Sequence, residues 1–243
     1  IKMIVLGIES TAHTFGVSIL KDNQVLSNEK SVYTTKTGGI IPVKLVDHHV
    51  ADCDIVLENA LEKVKVKLKD IDLIAFSQGP GMGHALRVGA IMARTLHLTL
   101  KKPMVGVNHC IAHLEVGKLA TADCKDPVLL YASGANTQVI AYDAGKYRIF
   151  GETLDNGVGN FIDSFARDIG LGFPGGPKVE KLALQGKKYI ELPYVVKGMD
   201  VSFGGLQTNL KQKINSGKYN KEDLCYSMQE TVFAMLLEVS ERA

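Results

Sequence analysis

The sequence predicts an α/β fold made of two similar halves. The chain opens with three short predicted strands separated by polar turns, and the same order of strands and turns recurs over residues 128–151. After each unit, apolar residues at helical spacing alternate with short apolar runs typical of strands. Because a repeated unit constrains the whole architecture, these observations predict a duplicated fold whose second half is less complete than the first. A chance similarity between two common β-meanders is the alternative.

The first half begins with the first copy of this unit. Strands are predicted over Ile4–Glu9 and Phe15–Leu20, joined by the polar turn Ser10–Thr14. Lys21–Asn23 predicts a hairpin turn into a third strand, Gln24–Ser31. The elements predicted next are helix Leu45–Lys67, strand Ile71–Phe76, a helix that follows GPGMGHALRVG (79–89) and ends near Leu100, strand Pro103–Val107, and helix His109–Leu119.

The second half repeats the three strands and then becomes largely helical. A boundary between the halves is predicted at 126/127, which gives domains 1–126 and 127–243, with the His109/His113 helix in the first. The elements predicted in the second half are strands Val128–Ala132, Gln138–Tyr142 and Lys146–Gly151, helices Gly159–Ile169, Pro177–Gln185 and Glu222–Ala243, and a strand or loop over Glu191–Leu206.

The composition is that of an ordinary globular protein. Hydrophobic residues make up 46% of the chain and charged residues 22%. The net charge of +2 neither indicates nor excludes nucleic-acid binding. The chain has no C-x-x-C, no membrane-length apolar run and no signal peptide in its opening residues, so we expect a reduced, cytoplasmic protein without a membrane partner.

Two histidines four residues apart, His109 and His113, form a candidate metal site. Residues i and i+4 share one helix face, so both side chains can reach one ion. In the zinc proteases with H-E-x-x-H, a Glu after the first His is the general base, whereas this chain has Cys110 there. Two half-buried histidines without a metal are the alternative.

Three turns could hold a nucleotide by their backbone N–H groups. Ser10–Thr14 and Ser133–Thr137 each lie between two strands, and FPGGPKVEKLA at 173–183 places glycines before a helix. Together they favour a nucleotide cleft, although each alone is also an ordinary turn. GPGMGHALRVG lacks the glycine spacing and the following acidic residue of a dinucleotide site, so a tight, closely packed loop is expected there, and no P-loop motif occurs. Asp163 is either a ribose ligand or an exposed carboxylate paired with Arg167.

Five segments together resemble one family. IESTAHTFGVSIL, GPGMGHALRVGAIMARTL, NHCIAH, YASGANTQ and FIDSFARDIGLGFPGGPKVEKLA resemble, in order and spacing, the TsaD family in its archaeal and eukaryotic branch, formerly labelled O-sialoglycoprotein endopeptidases. The resemblance covers Ile4 to about Val239. It implies an actin-like ATPase (ribonuclease H-like) duplicated two-lobed fold, with the second lobe incomplete.

The resemblance also implies a reaction. Members transfer the threonylcarbamoyl group of threonylcarbamoyl-adenylate to the exocyclic amine of the adenosine 3′ of the tRNA anticodon. A bound iron or zinc is implied at His109, His113 and Tyr131. The implied adenylate site consists of Tyr131, Ala132, Ser133, Gly134, Ala135, Asn136, Asp163, Gly176 and Glu180. No general base is assigned.

The implied partners are tRNA and the subunits of the KEOPS complex. These subunits include a small protein kinase, fused to the transferase in some archaeal members, and a small dimerising subunit. The loop at 79–87 and the helix after it are a candidate protein interface. A metallopeptidase and a non-catalytic ATP-binding subunit are the competing functions; the missing Glu argues against the first, and the histidine pair argues against the second.

The chain departs from the family pattern in three places. Ala135 replaces a glycine, which is tolerable only without a positive φ, and Gly204 replaces a serine of S-F-S-G-L. The family continues beyond the last helix with a glycine-rich segment that contacts adenine and an Asp that completes the metal site. We therefore expect a chain truncated at its C-terminus.

Overall fold

A mixed five-stranded sheet organises the first half of the chain in the computed structural model, which describes residues 3–22, 24–35, 40–121 and 124–243. Antiparallel pairs join the first three strands, whereas the fourth runs parallel to both the first and the fifth. The parallel pairs bring three strand ends, with the loops that follow them, to one edge of the sheet. The strands, in spatial order β3-β2-β1-β4-β5, are β1 (Ile4–Glu9), β2 (Thr14–Lys21), β3 (Gln24–Val32), β4 (Leu73–Gly79) and β5 (Met104–Asn108).

Three helices accompany this sheet: α1 (Pro42–Val64), α2 (Gly83–Leu100) and α3 (His109–Ala120). Alternate residues of β1 and β2 point to the buried face, where Leu6 and Phe15 pack with Ala60 of α1. Helix α1 starts and stops earlier than its apolar spacing predicts. Pro42 suits its first turn, and Lys65, with a left-handed φ of 56°, ends it.

A three-stranded antiparallel sheet, in the order β6-β7-β8, begins the second unit. Four helices and a two-stranded hairpin follow it. The main core of this unit contains Phe161, Phe165, Phe203 and Leu206, all at most 1% exposed. The elements are β6 (Leu129–Ala132), β7 (Thr137–Asp143), β8 (Lys146–Glu152), α4 (Val158–Asp168), α5 (Gly176–Ala183), β9 (Val196–Lys197), β10 (Asp200–Val201), α6 (Gly204–Asn215) and α7 (Lys221–Glu241).

The predicted α/β class and the recurring three-stranded meander are confirmed. The likeness between the two units stops there, because the described part of the second unit has no ladder of parallel strands. Contacts divide the chain into Ile1–Leu119 and Ala120–Ala243, somewhat before the predicted boundary at 126/127. The expectation of strand or loop over Glu191–Leu206 is wrong at its end, where α6 starts at Gly204.

All four cysteines, Cys53, Cys110, Cys124 and Cys225, are free thiols. None of the helices in the part of the chain that the structure describes is both long enough and apolar enough to cross a membrane.

Asp155 joins the loop after β8 to the start of α6. Its carboxylate accepts hydrogen bonds from Phe203 N (3.0 Å), Gly204 N (2.8 Å), Asn156 N (2.7 Å) and Ser202 Oγ (2.6 Å). Partial burial would raise the pKa of Asp155, but these hydrogen bonds outweigh it and lower the pKa to about 2. The charged carboxylate therefore stabilises the folded second unit.

We expect Asp155→Asn to destabilise the protein by about 1 kcal/mol at neutral pH, a modest value because the side chain is largely exposed. The pKa is lowered on folding, so the stabilisation is complete above the unfolded-state value of about 4 and is lost as the pH falls toward 2. Urea unfolding of the wild type and the variant between pH 2.5 and 7 should show a difference that shrinks below about pH 4. Asp126→Asn, at an exposed site, is the control, and a pH-independent difference for Asp155→Asn would contradict this account.

Candidate functional site

His109 and His113 lie on one face of α3, as the sequence predicts. Strand β5 ends at Asn108, whose Oδ1 accepts hydrogen bonds from Cys110 N (2.9 Å) and Ile111 N (3.2 Å) and so caps the helix. This cap fixes His109 in the first turn. The two imidazole rings lie edge to face, with centroids 4.6 Å apart. Two ring nitrogens can therefore approach a common point beside the helix.

Glu9, at the end of β1, contacts the first histidine. Its Oε2 lies 3.2 Å from His109 Nδ1, and its Oε1 accepts a hydrogen bond from Thr11 N at 2.7 Å. Burial would raise the pKa of Glu9, but the hydrogen bonds of His109 and Thr11 lower it overall. Burial, followed by the neighbouring His109, lowers the pKa of His113. These surroundings favour an ionised Glu9 and a neutral His113.

The histidine pair and Glu9 fit part of a metal site. Iron and zinc bind neutral imidazole, and a carboxylate that accepts the Nδ1 proton of a histidine selects Nε2 as the metal-binding atom. No group of three His, Cys, Asp or Glu arranged for a metal ion occurs among the described residues. The predicted third ligand, Tyr131, lies on β6 of the second unit, opposite Gln138.

The loop at 79–89 packs closely on the Ser10–Thr14 turn, which confirms the expectation of a tight loop. Met82 N donates to Thr11 O at 2.7 Å. A Cβ on Gly81 would lie 2.7 Å from that same oxygen, and a Cβ on Gly89 would lie 2.2 Å from Ser10 Oγ. Ser10 Oγ is buried and has no hydrogen-bond partner among the residues that the structure describes. Glycine at 81 and 89 therefore allows the loop and helix α2 to approach the turn.

The Ser133–Asn136 turn between β6 and β7 is closed by its own hydrogen bonds. Ser133 N and Ser133 Oγ donate to Asn136 O (2.9 and 2.8 Å), and Asn136 N donates to Ser133 Oγ (3.2 Å). These bonds leave Gly134 and Ala135 at an exposed tip. Ala135 is not among the residues with positive φ, so its methyl group is compatible with the turn.

The start of α4 fixes this turn by backbone hydrogen bonds. Gly159 N donates to Ser133 O and Asn160 N to Gly134 O, both at 3.0 Å. A Cβ on Gly157 would lie 2.4 Å from Gly134 O, and one on Gly159 would lie 2.9 Å from Gly134 Cα. The first turn of α4 therefore fixes the tip rather than offering its own N–H groups to a ligand.

Asp163, further along α4, holds the glycine-rich loop before α5. Its Oδ1 accepts a hydrogen bond from Gly175 N at 2.7 Å, and it forms no ion pair with Arg167. The alternative of an Asp163–Arg167 pair is therefore wrong. Gly176 begins α5, with open space where a Cβ would lie, and Glu180 is exposed one turn later. Helix α4 thus positions both the Ser133–Asn136 turn and the start of α5.

Two residues that shape the candidate site, Glu9 and Gly157, are not predicted from the sequence. Glu9 contacts His109 across a separation of 100 residues, and only its place at a strand end before a polar turn could have signalled it. Gly157 precedes α4, and only the structure shows that its lack of a side chain lets it lie against the backbone of Gly134. Gly204, where the resembling family has serine, approaches the Asp155 carboxylate closely: a Cβ there would lie 2.9 Å from Oδ2.

Comparison with known proteins gives one consistent result. Residues 24–243 match the model of the family TsaD, described as tRNA N6-adenosine threonylcarbamoyltransferase. The tRNA N6-adenosine threonylcarbamoyltransferase of Thermococcus sibiricus is 59% identical over 241 residues, which are 99% of this chain and 74% of that protein. An Encephalitozoon cuniculi protein of the same name is 53% identical over 99% of this chain and 73% of its own length.

Other relatives are longer. A probable bifunctional tRNA threonylcarbamoyladenosine biosynthesis protein of Thermoplasma acidophilum is 53% identical over 99% of this chain but only 45% of its own length. Among solved structures, component A of the Acidaminococcus fermentans (R)-2-hydroxyglutaryl-CoA dehydratase is similar in fold, with a TM-score of 0.55. It is 13% identical, and the match covers all of this chain and 79% of that one.

Proposed function

The chain belongs to the TsaD family, the tRNA N6-adenosine threonylcarbamoyltransferases, and we propose its mechanism on that basis. The chain is a transferase that acts on tRNA, and the family match over residues 24–243 is the observation that carries this conclusion. The finer proposal is that the donor is threonylcarbamoyl-adenylate. The acceptor is the exocyclic N6 amine of the adenosine 3′ of the anticodon.

The reaction is an acyl transfer from a mixed anhydride. The N6 amine attacks the carbamoyl carbon, a C–N bond forms, the C–O bond to the phosphate breaks, and AMP leaves with the bonding electron pair. The amine loses one proton in the process. Because an aromatic amine is a weak nucleophile, orienting the N6 amine toward the carbamoyl carbon supplies much of the rate.

The second unit is the proposed adenylate site. The exposed backbone at Gly134 and Ala135 is held rigidly by α4 and can approach a phosphate or ribose closely. Asp163 keeps one oxygen engaged with Gly175, which leaves its other oxygen as a candidate partner for a ribose hydroxyl. Gly176 has open space where a Cβ would lie, and Glu180 is exposed, so both are accessible as proposed adenylate contacts at the start of α5. The remaining proposed contacts are Tyr131, Ala132, Ser133 and Asn136.

His109, His113 and Tyr131 are the proposed metal ligands, and Fe²⁺ and Zn²⁺ both suit this donor set. When bound, the metal supplies Lewis acidity toward an oxygen of the threonylcarbamoyl group. Glu9 holds His109 in the required tautomer and orientation.

The proposed assembly places this chain in a KEOPS-type complex with a small protein kinase and a small dimerising subunit, on an actin-like, two-lobed fold. The proposed protein interface lies on helix α2. Its exposed face carries Arg87, Ile91 and Leu98. The opposite face is buried at Ala85 and Gly89. The four free cysteines fit a reduced compartment, and we propose a cytoplasmic location.

The test of this function is transfer of label. Threonylcarbamoyl-adenylate carrying radiolabelled threonine is incubated with tRNA, the protein and the proposed partner subunits, and label in precipitated tRNA is counted. We expect label in tRNA and stoichiometric AMP. Release of AMP without labelled tRNA would contradict transferase activity and would point to a nucleotide-binding or hydrolytic subunit.

Glu9→Gln is expected to weaken metal binding by roughly 10–100-fold, the usual effect of losing a carboxylate that orients a metal-bound histidine. Glutamine can still accept the Thr11 N–H, so the turn should remain intact. Isothermal titration with Zn²⁺ measures the affinity without depending on activity. Glu58→Gln, at an exposed position on α1, is the matched control. Equal Zn²⁺ affinity in wild type and Glu9→Gln would show that Glu9 has no positioning role.

A further inference from the structure

An open groove in the second unit shares no lining residue with the proposed adenylate site. It has a volume of about 600 Å³, within the range of ligand sites. Its floor is formed by the buried Ile190 and Leu192. One wall is the irregular segment 188–193, and the other is the C-terminal half of α6 with the turn that follows it.

The groove is rich in lysine. Lys188 lines one wall and Lys213 the other, and the exposed Lys187 and Lys218 flank the lining residues in sequence. None of these four lysines forms an ion pair within the described ranges. Glu191 is the acidic residue in the lining. The lining thus holds two lysines and one acid, and a second acid, Asp223, contacts the backbone of Lys187 and Lys188.

The segment with Lys188 is held in place by Asp223 of α7. The Asp223 carboxylate accepts hydrogen bonds from Lys187 N (2.8 Å) and Lys188 N (3.0 Å), and Ser227 Oγ accepts from Ile190 N at 2.7 Å. The backbone of this wall is thus ordered before any ligand binds. Prior ordering lowers the entropic cost of binding.

Aromatic and amide groups accompany the lysines. Tyr189 and Tyr219 line the groove and are 50% and 39% exposed, and Lys213 Nζ lies 5.2 Å from the centre of the Tyr219 ring. Asn209, one helical turn before Lys213, also lines the groove. Exposed aromatic rings among cations suit stacked bases and phosphates.

We propose that this groove binds an unpaired or unstacked segment of tRNA. Lys188 and Lys213 contact its phosphates, and the tyrosine rings stack on a base. The inference rests on the proposed function for the identity of the RNA. It adds a substrate contact separate from the residues that bind the adenylate and the metal.

The test is a titration of fluorescently labelled tRNA with wild type and with Lys188→Gln/Lys213→Gln between 50 and 300 mM KCl. We expect about tenfold weaker binding at 100 mM KCl. The slope of log K against log salt should fall by about 2 in magnitude, one for each lost phosphate contact. Tyr219→Leu should weaken binding while leaving the slope unchanged, because it removes stacking but no charge.

Lys125→Gln/Lys146→Gln, at two exposed positions of the same unit, is the matched control and should bind tRNA as the wild type does. Urea midpoints confirm that every variant is folded. Equal affinities and slopes for wild type and Lys188→Gln/Lys213→Gln would overturn the inference, as would an equal loss in the control. If the wild type transfers label to tRNA while the groove variant binds normally, only the groove assignment fails. If the wild type neither binds tRNA nor transfers label, the proposed function fails first.

Discussion

Replacing both His109 and His113 with alanine is expected to lower threonylcarbamoyl transfer by more than 100-fold. The reason is the loss of two proposed metal ligands at once, since loss of a single outer partner of a ligand already costs about 10–100-fold. The rings lie 4.6 Å apart on a helix whose start is fixed by Asn108, so the double substitution removes both imidazoles from one helix face. Transfer of labelled threonine and the metal content of the purified protein are measured together.

Val116→Ala/Leu119→Ala is the matched control for this variant. It makes two alanine substitutions on the same helix, at positions that are 55% and 52% exposed. The control should retain both metal and activity. If the histidine variant keeps more than a tenth of the wild-type rate while its urea midpoint is unchanged, the pair has a structural role and the proposed metal site is wrong.

Gly157→Ala is expected to have the second large effect, on nucleotide binding. The Gly157 backbone, with φ −65° and ψ 148°, is one that alanine readily adopts, so any loss must come from contact. The new methyl would lie 2.4 Å from Gly134 O and 2.5 Å from the carbonyl carbon of Ala135. Both are backbone atoms of the exposed turn, which must therefore move. We expect at least tenfold weaker AMP binding and a loss of stability of about 1–3 kcal/mol, typical of overpacking.

Calorimetric titration with AMP and urea unfolding measure these two effects. Gly205→Ala is the control, because a Cβ there would meet no atom within 4 Å and the residue lies in helix α6. That substitution should leave AMP affinity unchanged and raise stability by up to about 1 kcal/mol. AMP affinity unaltered by Gly157→Ala would place the nucleotide elsewhere than at the Ser133–Asn136 turn.

The sequence predicts local features of the fold well because they depend on local patterns. Strand β1 spans Ile4–Glu9 as its apolar run predicts, and α3 starts at His109. Helix α6 was missed, because its start at Gly204 and Gly205 carries weak helix propensity and its stability comes from buried Leu206 and Leu210. The pairing of β1 with β4 joins strands far apart in sequence, and no local pattern states it.

In the candidate site, too, local features are predictable from the sequence and tertiary contacts are not. The spacing of His109 and His113 gives their shared helix face, and the glycines of 173–176 mark the start of α5. The contact of Glu9 with His109 depends on tertiary packing, as does the closeness of Gly157 to the Ser133–Asn136 turn. These contacts determine how the predicted residues are held, and they were accessible only from the three-dimensional structure.

The most direct test of the central claim identifies the atom that is modified. Two tRNA transcripts that differ only in adenosine or guanosine 3′ of the anticodon are incubated with threonylcarbamoyl-adenylate, the protein and the proposed partner subunits. The digested nucleosides are then analysed by mass spectrometry with fragmentation. We predict a threonylcarbamoyl group on the N6 atom of one adenosine in the first transcript and none in the second. Equal modification of both transcripts, or AMP release with unmodified adenosine in both, would contradict the account.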